Sequence, residues 1–203
     1  MLRPNEGLLH ICPYGNASTD DQFLLKTYLD NMAMIHKLNP ESIQVRRATA
    51  SDLDFVVAQA SRMLDFGPLP WRDEWVMAQT DQRVLTTALL NPRDDTAFLM
   101  AETIEPNVQP LGFVHLTTHH DYFTGEAHGH MADIVVAKKA EGHGVGQMLM
   151  AAGEAWARQR GYRLLSLNVF ADNVRAREVY ERAGFCIDTI KYLKPLTEDV
   201  ASL

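Results

Sequence analysis

The stretch Ile134-Val-Val-Ala-Lys-Lys-Ala-Glu-Gly-His-Gly-Val-Gly146, followed at once by Gln-Met-Leu-Met-Ala-Ala-Gly-Glu-Ala-Trp156, constrains the fold more than any other part of the chain. It reads as a buried strand, a glycine-rich turn and an amphipathic helix. Gly142, Gly144 and Gly146 allow positive φ and a close approach of backbone to ligand, and a helix starting near Val145 aims unpaired N–H groups at the same turn. Together these features make an anion site, most naturally for phosphate. Spacing excludes two familiar phosphate loops. A Walker loop needs Gly-Lys followed by Ser or Thr, but Gln147 follows Gly146; a dinucleotide fingerprint needs a glycine three residues after Gly144, where Gln147 again stands. For the turn taken alone, a plainer reading stays open, in which the glycines only let a helix pack on a strand.

A second strand and helix come next at Leu164-Leu-Ser-Leu-Asn-Val-Phe170 and Ala-Asp-Asn-Val-Arg-Ala-Arg-Glu-Val-Tyr-Glu-Arg-Ala-Gly-Phe185, with Gly184 as the stop. Asn173, Ala176, Tyr180 and Ala183 recur at helical spacing and share one face. The alanines keep that face open, so Tyr180 is expected to stand over a narrow channel.

On these two motifs, Glu141-Gly-His-Gly-Val-Gly146 after a hydrophobic strand and Asn173 through Tyr180 to Gly184-Phe185, the chain resembles the GCN5-related N-acetyltransferase (GNAT) superfamily. The resemblance covers roughly residues 43 to 194. It implies a single-domain α/β fold of acyl-CoA N-acyltransferase type, with a mixed, mostly antiparallel central sheet and flanking helices. It also implies that the strands carrying Ile134-Val135-Val136 and Leu164 to Val169 splay apart to admit the pantetheine arm of acetyl-CoA, the acyl donor. The residues implied to meet that donor are Ile134, Val135, Val136, Glu141, Gly142, His143, Gly144, Val145, Gly146, Gln147, Asn168, Asn173, Ala176 and Tyr180. The family usually has Gln or Arg where this chain has Glu141, which leaves the turn glycines to carry the pyrophosphate contact.

Moving an acyl group from a thioester to an amine needs a neutral nucleophile, a held carbonyl and a leaving thiolate that can be protonated. Tyr180 suits the general acid, because a phenol stays protonated at neutral pH; otherwise it is an aromatic knob on an amphipathic helix. Asn173 reads both as a helix N-cap and, by the resemblance, as a pantetheine ligand. Three residues compete for the base: Asp133 as the nearest carboxylate, His130 for its intrinsic pKa, and Glu126 in the preceding loop. A water relay is equally tenable. Histidines cluster from His115 to His143, including His119, His120, His128 and His130, but their spacing matches no metal motif, so no metal is expected. They read as an acceptor-pocket lining or as strand-end caps, with Tyr122 and Phe123 as an aromatic wall or a hairpin's own small core. Lys138 and Lys139 could meet phosphates or simply be solvated.

The expected function is acetyl-CoA-dependent N-acetyl transfer to the amine of a small molecule or peptide by direct attack. The alternative is a non-catalytic acyl-CoA-binding sensor or regulatory module. A formal charge of −7 argues against nucleic acid as a partner. No apolar run is long enough to span a bilayer, and the first residues lack a secretory pattern, so the expected setting is cytoplasmic with no membrane partner. Cys12 and Cys186 match no metal or redox spacing and are expected to be reduced. Residues 1–41 read as an N-terminal helical extension whose stripe of Phe23, Leu24, Tyr28, Met32, Ile35 and Leu38 either packs on the domain or makes a homodimer contact. The acyltransferase-like domain is expected over 42–203. Within it strands are predicted near 42–48, 96–102, 111–117, 128–137 and 164–170, a last one over 185–191, and helices near 49–64 and 73–90.

Overall fold

The computed structural model of the chain describes residues 40–65, 71–104, 106–194 and 196. The predicted N-terminal helix, its apolar stripe and Cys12 lie outside the described residues. Five strands, β1 (Ile43–Arg47), β2 (Ala97–Thr103), β3 (Pro110–His120), β4 (Ala127–Val136) and β5 (Leu165–Leu167), form one sheet in that order. The first four are antiparallel and β5 joins β4 in parallel. The helices are α1 (Leu53–Ala60), α2 (Glu74–Leu90), α3 (Val145–Gln159) and α4 (Val174–Arg182).

Period-two alternation in the strands feeds two cores. Ala101, Val114, Leu116 and Met131 point to one face, where Val145, Leu149, Met150 and Trp156 of α3 cover them. Phe98, Met100, Phe113 and Val135 point to the other, under Val56 and Ala60 of α1 and Leu85 and Leu89 of α2. A helix–sheet–helix stack results. Each fully buried Leu, Val, Phe or Met contributes roughly 1.5–3 kcal/mol relative to exposure, which makes these two faces the main source of stability.

Caps explain where the helices begin and end. Asp73 accepts the Val76 N–H at 2.8 Å and opens α2. The Asp52 carboxylate accepts the Thr49 N–H at 2.8 Å, and the same carboxylate takes a two-pronged grip from Arg46 of β1 at 2.8 Å. At the end of α4, Gly184 adopts φ +92°, Phe185 N–H reaches the Tyr180 carbonyl at 3.0 Å and Gly184 N–H the Glu181 carbonyl at 3.0 Å. This is a Schellman stop, and it brings the Phe185 ring edge-on to Tyr180 at 6.1 Å.

Two features of β4 shape the space beside it. It pairs with β5 only at Gly129, His130 and Met131, opposite Leu165, Ser166 and Leu167, so beyond Met131 its outer edge has no strand partner among the described residues. In its pairing with β3, His115 lies opposite Asp133 and Leu116 opposite Met131, which leaves Ala132 as an extra, bulged residue. The bulge resets the alternation: Met131 faces α3, and so do Ile134 and Val136, whereas Asp133 and Val135 face α1 and α2.

The strand predicted over 185–191 does not form. Residues 185–194 are irregular, and Ile187, Ile190, Tyr192 and Leu193 are exposed. A strand needs an edge to pair with, and β5 is three residues long.

Candidate active site

The open edge of β4, the first turn of α3 and one face of α4 enclose a groove of about 450 Å³. Ile134 and Val136 form one wall, Gly146 the end, and Asn173, Ala176 and Tyr180 the opposite wall. Helical spacing on α4 places the last three over the gap left by β5, as the sequence pattern required.

The glycine turn closes the groove at one end. Gly142 and Gly144 both adopt φ +80°, and Gly144 is the N-cap of α3, a position where it offers no capping side chain. A Cβ at Gly142 would meet no heavy atom within 4 Å, and one at Gly144 only Gln147 Oε1 at 3.9 Å. The first N–H groups of α3 therefore face open space in a backbone shape suited to an anion. A Cβ at Gly146 would lie 3.6 Å from Val136 Cγ2, an ordinary packing distance, so the steric need for glycine in this turn falls on the positive φ of Gly142 and Gly144.

Other donor-side candidates are placed differently. Val135 is buried in the core under α1 and α2, so its side chain cannot line the groove. Val145 is buried in the α3 core at 1% exposure. Gln147 and Asn168 are exposed, and neither they nor His143 line the groove. The helix period turns Gln147 outward, and Asn168 follows the last paired residue of β5. His143 Nδ1 lies 2.9 Å from the Glu141 carbonyl. Asn173 caps α4, its Oδ1 accepting the Ala176 N–H at 3.1 Å, so its amide nitrogen is what remains for a ligand.

Glu141 carries more than its sequence position suggested. Its carboxylate accepts from Arg62 Nη2 at 2.5 Å and from Arg175 Nη2 at 2.8 Å, and Lys138 Nζ lies 3.6 Å away. Burial would raise the Glu141 pKa, but the hydrogen bonds from Arg62 and Arg175 bring it down to about 2. Arg62 also donates through Nη1 to the Val136 carbonyl at 2.8 Å and through Nε to Asp65 at 3.1 Å. Arg62 and Arg175 were not singled out by sequence reasoning. Arg62 left no signal, being 79 residues from Glu141. Arg175 left one: a cation in the first turn of a helix opposes the helix dipole unless an anion lies near.

Tyr180 is half-buried against the α3 core and lines the groove. Burial pushes its phenol above the usual value, and its hydroxyl makes no hydrogen bond with any described residue. At neutral pH it is therefore a protonated phenol on the lining of the groove.

On the other face of the sheet, polar groups gather where α1 and α2 leave the strands. Asp133 Oδ2 lies 3.0 Å from His115 Nδ1, both side chains nearly buried, and the His115 ring stacks on Phe98 at 5.4 Å. Asp81 of α2 sits near Asp133: burial, and then the Asp133 charge, push its carboxyl upward. His130 is 6% exposed, stacks on His119 at 4.0 Å and shares the Ser166 hydroxyl with His128, at 2.9 and 3.1 Å. Burial, with His119 and His128 beside it, lowers the His130 pKa to about 4. Glu126 lies in the loop before β4, at the strand's far end, paired with Arg163 at 3.7 Å. Tyr122 and Phe123 are about nine-tenths exposed and pack edge-on only to each other, so they wall no pocket among the described residues. Arg72, just before α2, lies over the Phe170 ring at 5.4 Å, which brings the start of α2 to the end of β5. Among the described residues no three His, Cys, Asp or Glu side chains come together as a metal-binding set.

Asp81 was also missed, and His115, read only as a member of the histidine cluster, was not paired with Asp133. A histidine inside Leu111-Gly-Phe-Val-His-Leu116, in phase with the inward-facing Phe113, had to be buried and hence partnered, a signal that was available.

This geometry has relatives. The acetyltransferase (GNAT) family matches residues 59–185. A mycothiol acetyltransferase of Saccharomonospora viridis is 32% identical over 152 residues, covering 72% of this chain and 46% of that protein. An aminoglycoside N(6')-acetyltransferase of Stenotrophomonas maltophilia is 31% identical over 80 residues, 38% of this chain and 52% of that protein. The chain thus spans about half the length, or less, of these curated relatives. A GCN5-related N-acetyltransferase structure from Ralstonia eutropha JMP134 shares the fold at TM-score 0.56 and 20% identity, over 76% of this chain and 98% of that one. An aminoglycoside N-acetyltransferase crystallised with CoA shares it at TM-score 0.54 and 17% identity, over 76% of this chain and 95% of that one. With a family match over more than half its length, this chain belongs to the acetyltransferase (GNAT) family.

Proposed function

We propose that the chain transfers an acetyl group from acetyl-CoA to an amine by direct attack, with Tyr180 as general acid and Asp133 as the base. GNAT acetyltransferases take acetyl-CoA as donor, and the residues here fit it: the open glycine turn faces the diphosphate, Ile134, Val136, Ala176 and the Asn173 amide line the arm's path, and Tyr180 closes the groove. The thioester supplies an activated acyl group. What this chain supplies is position and protons.

One observation carries the reading. On a single stretch of β4, the bulge at Ala132 sends Ile134 and Val136 to the donor groove and Asp133, one residue away, to the opposite face beside His115. Donor and acceptor would then meet at the unpaired edge of β4, where no strand separates them. An amine arrives protonated at neutral pH, and Asp133 and Asp81 give it an anionic approach. Asp133, oriented by His115, accepts the ammonium proton. His130 is set aside by position: it lies where β4 is still paired with β5, bonded to the Ser166 hydroxyl and stacked under His119, away from the open edge. Tyr180, kept neutral by burial, donates to the departing sulfur.

The names of the sequence relatives agree with acetyl transfer, one of them explicitly to nitrogen. The acceptor is a small molecule or peptide carrying a primary amine. The test is thiol release from acetyl-CoA with a panel of aminoglycosides, aminosugars, polyamines and peptides, with mass analysis of the product. An acetamide product on an amine is expected. Tight acetyl-CoA binding with no thiol release across the panel would overturn the enzyme reading in favour of a sensor module.

A further inference from the structure

Glu141 stands in the turn whose glycines would face the donor's phosphates on the reading above, a place where a free carboxylate would repel them. Three cations surround it, and they are not equivalent. Arg62 is 17% exposed and makes three kinds of bond, to Glu141, Asp65 and the Val136 carbonyl, so it ties the open end of β4 to the turn. Arg175 and Lys138 are 71% and 78% exposed, and each has Glu141 as its only described ion-pair partner. Exposed pairs of long side chains contribute little to stability, so they exchange partners at small cost, whereas a mostly buried, multiply bonded arginine does not. Arg175 also lines the same groove as Asn173 and Gly146.

From this asymmetry we propose that Glu141 is a placeholder anion: Arg62 holds and neutralises it permanently, while Arg175 passes from Glu141 to the diphosphate of CoA when the donor binds. The proposal rests on the donor reading above and adds to it which side chains supply the positive charge that an acidic turn lacks. No bond is made or broken; one charge-assisted hydrogen bond replaces another.

The experiment is calorimetric titration of CoA and of dephospho-CoA into the whole chain and four variants. Arg175→Met should weaken both ligands by roughly tenfold, the scale of one charge-assisted hydrogen bond. Glu141→Gln should strengthen both by roughly threefold or more, because the competing anion is gone. Arg62→Met should weaken both, and Arg62→Met with Glu141→Gln should recover most of the loss. Should the Arg62 variant fail to fold, the opposite signs of Arg175→Met and Glu141→Gln still decide. Weaker CoA binding in Glu141→Gln, or an Arg175→Met penalty seen with CoA but not dephospho-CoA, would overturn the exchange. Wild-type affinity unchanged by either single variant overturns it too, and leaves the donor reading standing. A wild-type chain with no affinity for CoA removes both.

Discussion

The proposed donor side and the proposed acceptor side of this molecule are built in opposite ways. Most of the donor groove comes from two contiguous strand–turn–helix units, Ile134 to Gln159 and Leu165 to Arg182, with Arg62 and Asp65 added from the segment after α1. The acceptor side is gathered from three strands and a helix far apart in the chain: Asp81 on α2, His115 on β3, Asp133 and His130 on β4, Ser166 on β5. Local backbone geometry, set by glycine φ and helix period, makes the first. Cross-strand register makes the second, and a one-residue bulge at Ala132 decides which side chains meet.

The largest effect expected from breaking this division falls on the donor side. Tyr180→Phe removes a hydroxyl that no described residue holds and almost no volume, so folding and CoA affinity should be near wild type while turnover drops by roughly 10²-fold or more. Steady-state rates with a saturating amine, beside a CoA titration, read both at once. Equal turnover in the variant would move the acid role off Tyr180.

Next in size is the acceptor side. Asp133→Asn keeps the shape and the His115 contact but removes the proton acceptor, so kcat/KM for the amine should fall by roughly 10- to 100-fold with CoA affinity unchanged. His130→Gln should leave kcat/KM within about threefold, the usual range for a side chain outside the reacting atoms. A larger loss in His130→Gln than in Asp133→Asn would exchange their roles and place the amine nearer β5 than the bulge.

Legibility in the sequence divides along the same line. The order of strands and helices, the cap at Asp73, the stop at Gly184, the positive φ at Gly142 and Gly144 and the shared face of Asn173, Ala176 and Tyr180 are all local and were readable. What was missed are the pairings across long sequence distances: Arg62 with Glu141, His115 with Asp133, and Asp81 beside Asp133. Val135 and Val145 were assigned to the donor because they border the motif, but the alternation after the bulge and the helix period bury them in two different cores. The strand expected over 185–191 failed for a related reason. Its residues have strand character, but β5 offers too short an edge, and no local pattern reports the length of a partner.

The smallest effect concerns stability rather than rate, and it tests whether the histidine group on the acceptor side is structural. His130 is held at about 4 in the fold, by burial first and then by His119 and His128, against an ordinary value of 6.5. His115, Asp133 and the Ser166 hydroxyl are its other polar neighbours. Between those two pH values the unfolded chain binds a proton at this site and the folded chain does not, so stability rises with pH across the window and is lost on acidification from 6.5 towards 4. At pH 5 the loss relative to neutral pH from this one group should be about 1–2 kcal/mol. Urea unfolding at about pH 7.5 and about pH 5 measures it, and His130→Gln, which cannot titrate, should show a correspondingly smaller drop between the two conditions. An equal drop in both proteins would mean that the stacked rings of His119 and His130 already share a proton in the acidic condition, and that this part of the acceptor face is wetter and more open than its packing indicates.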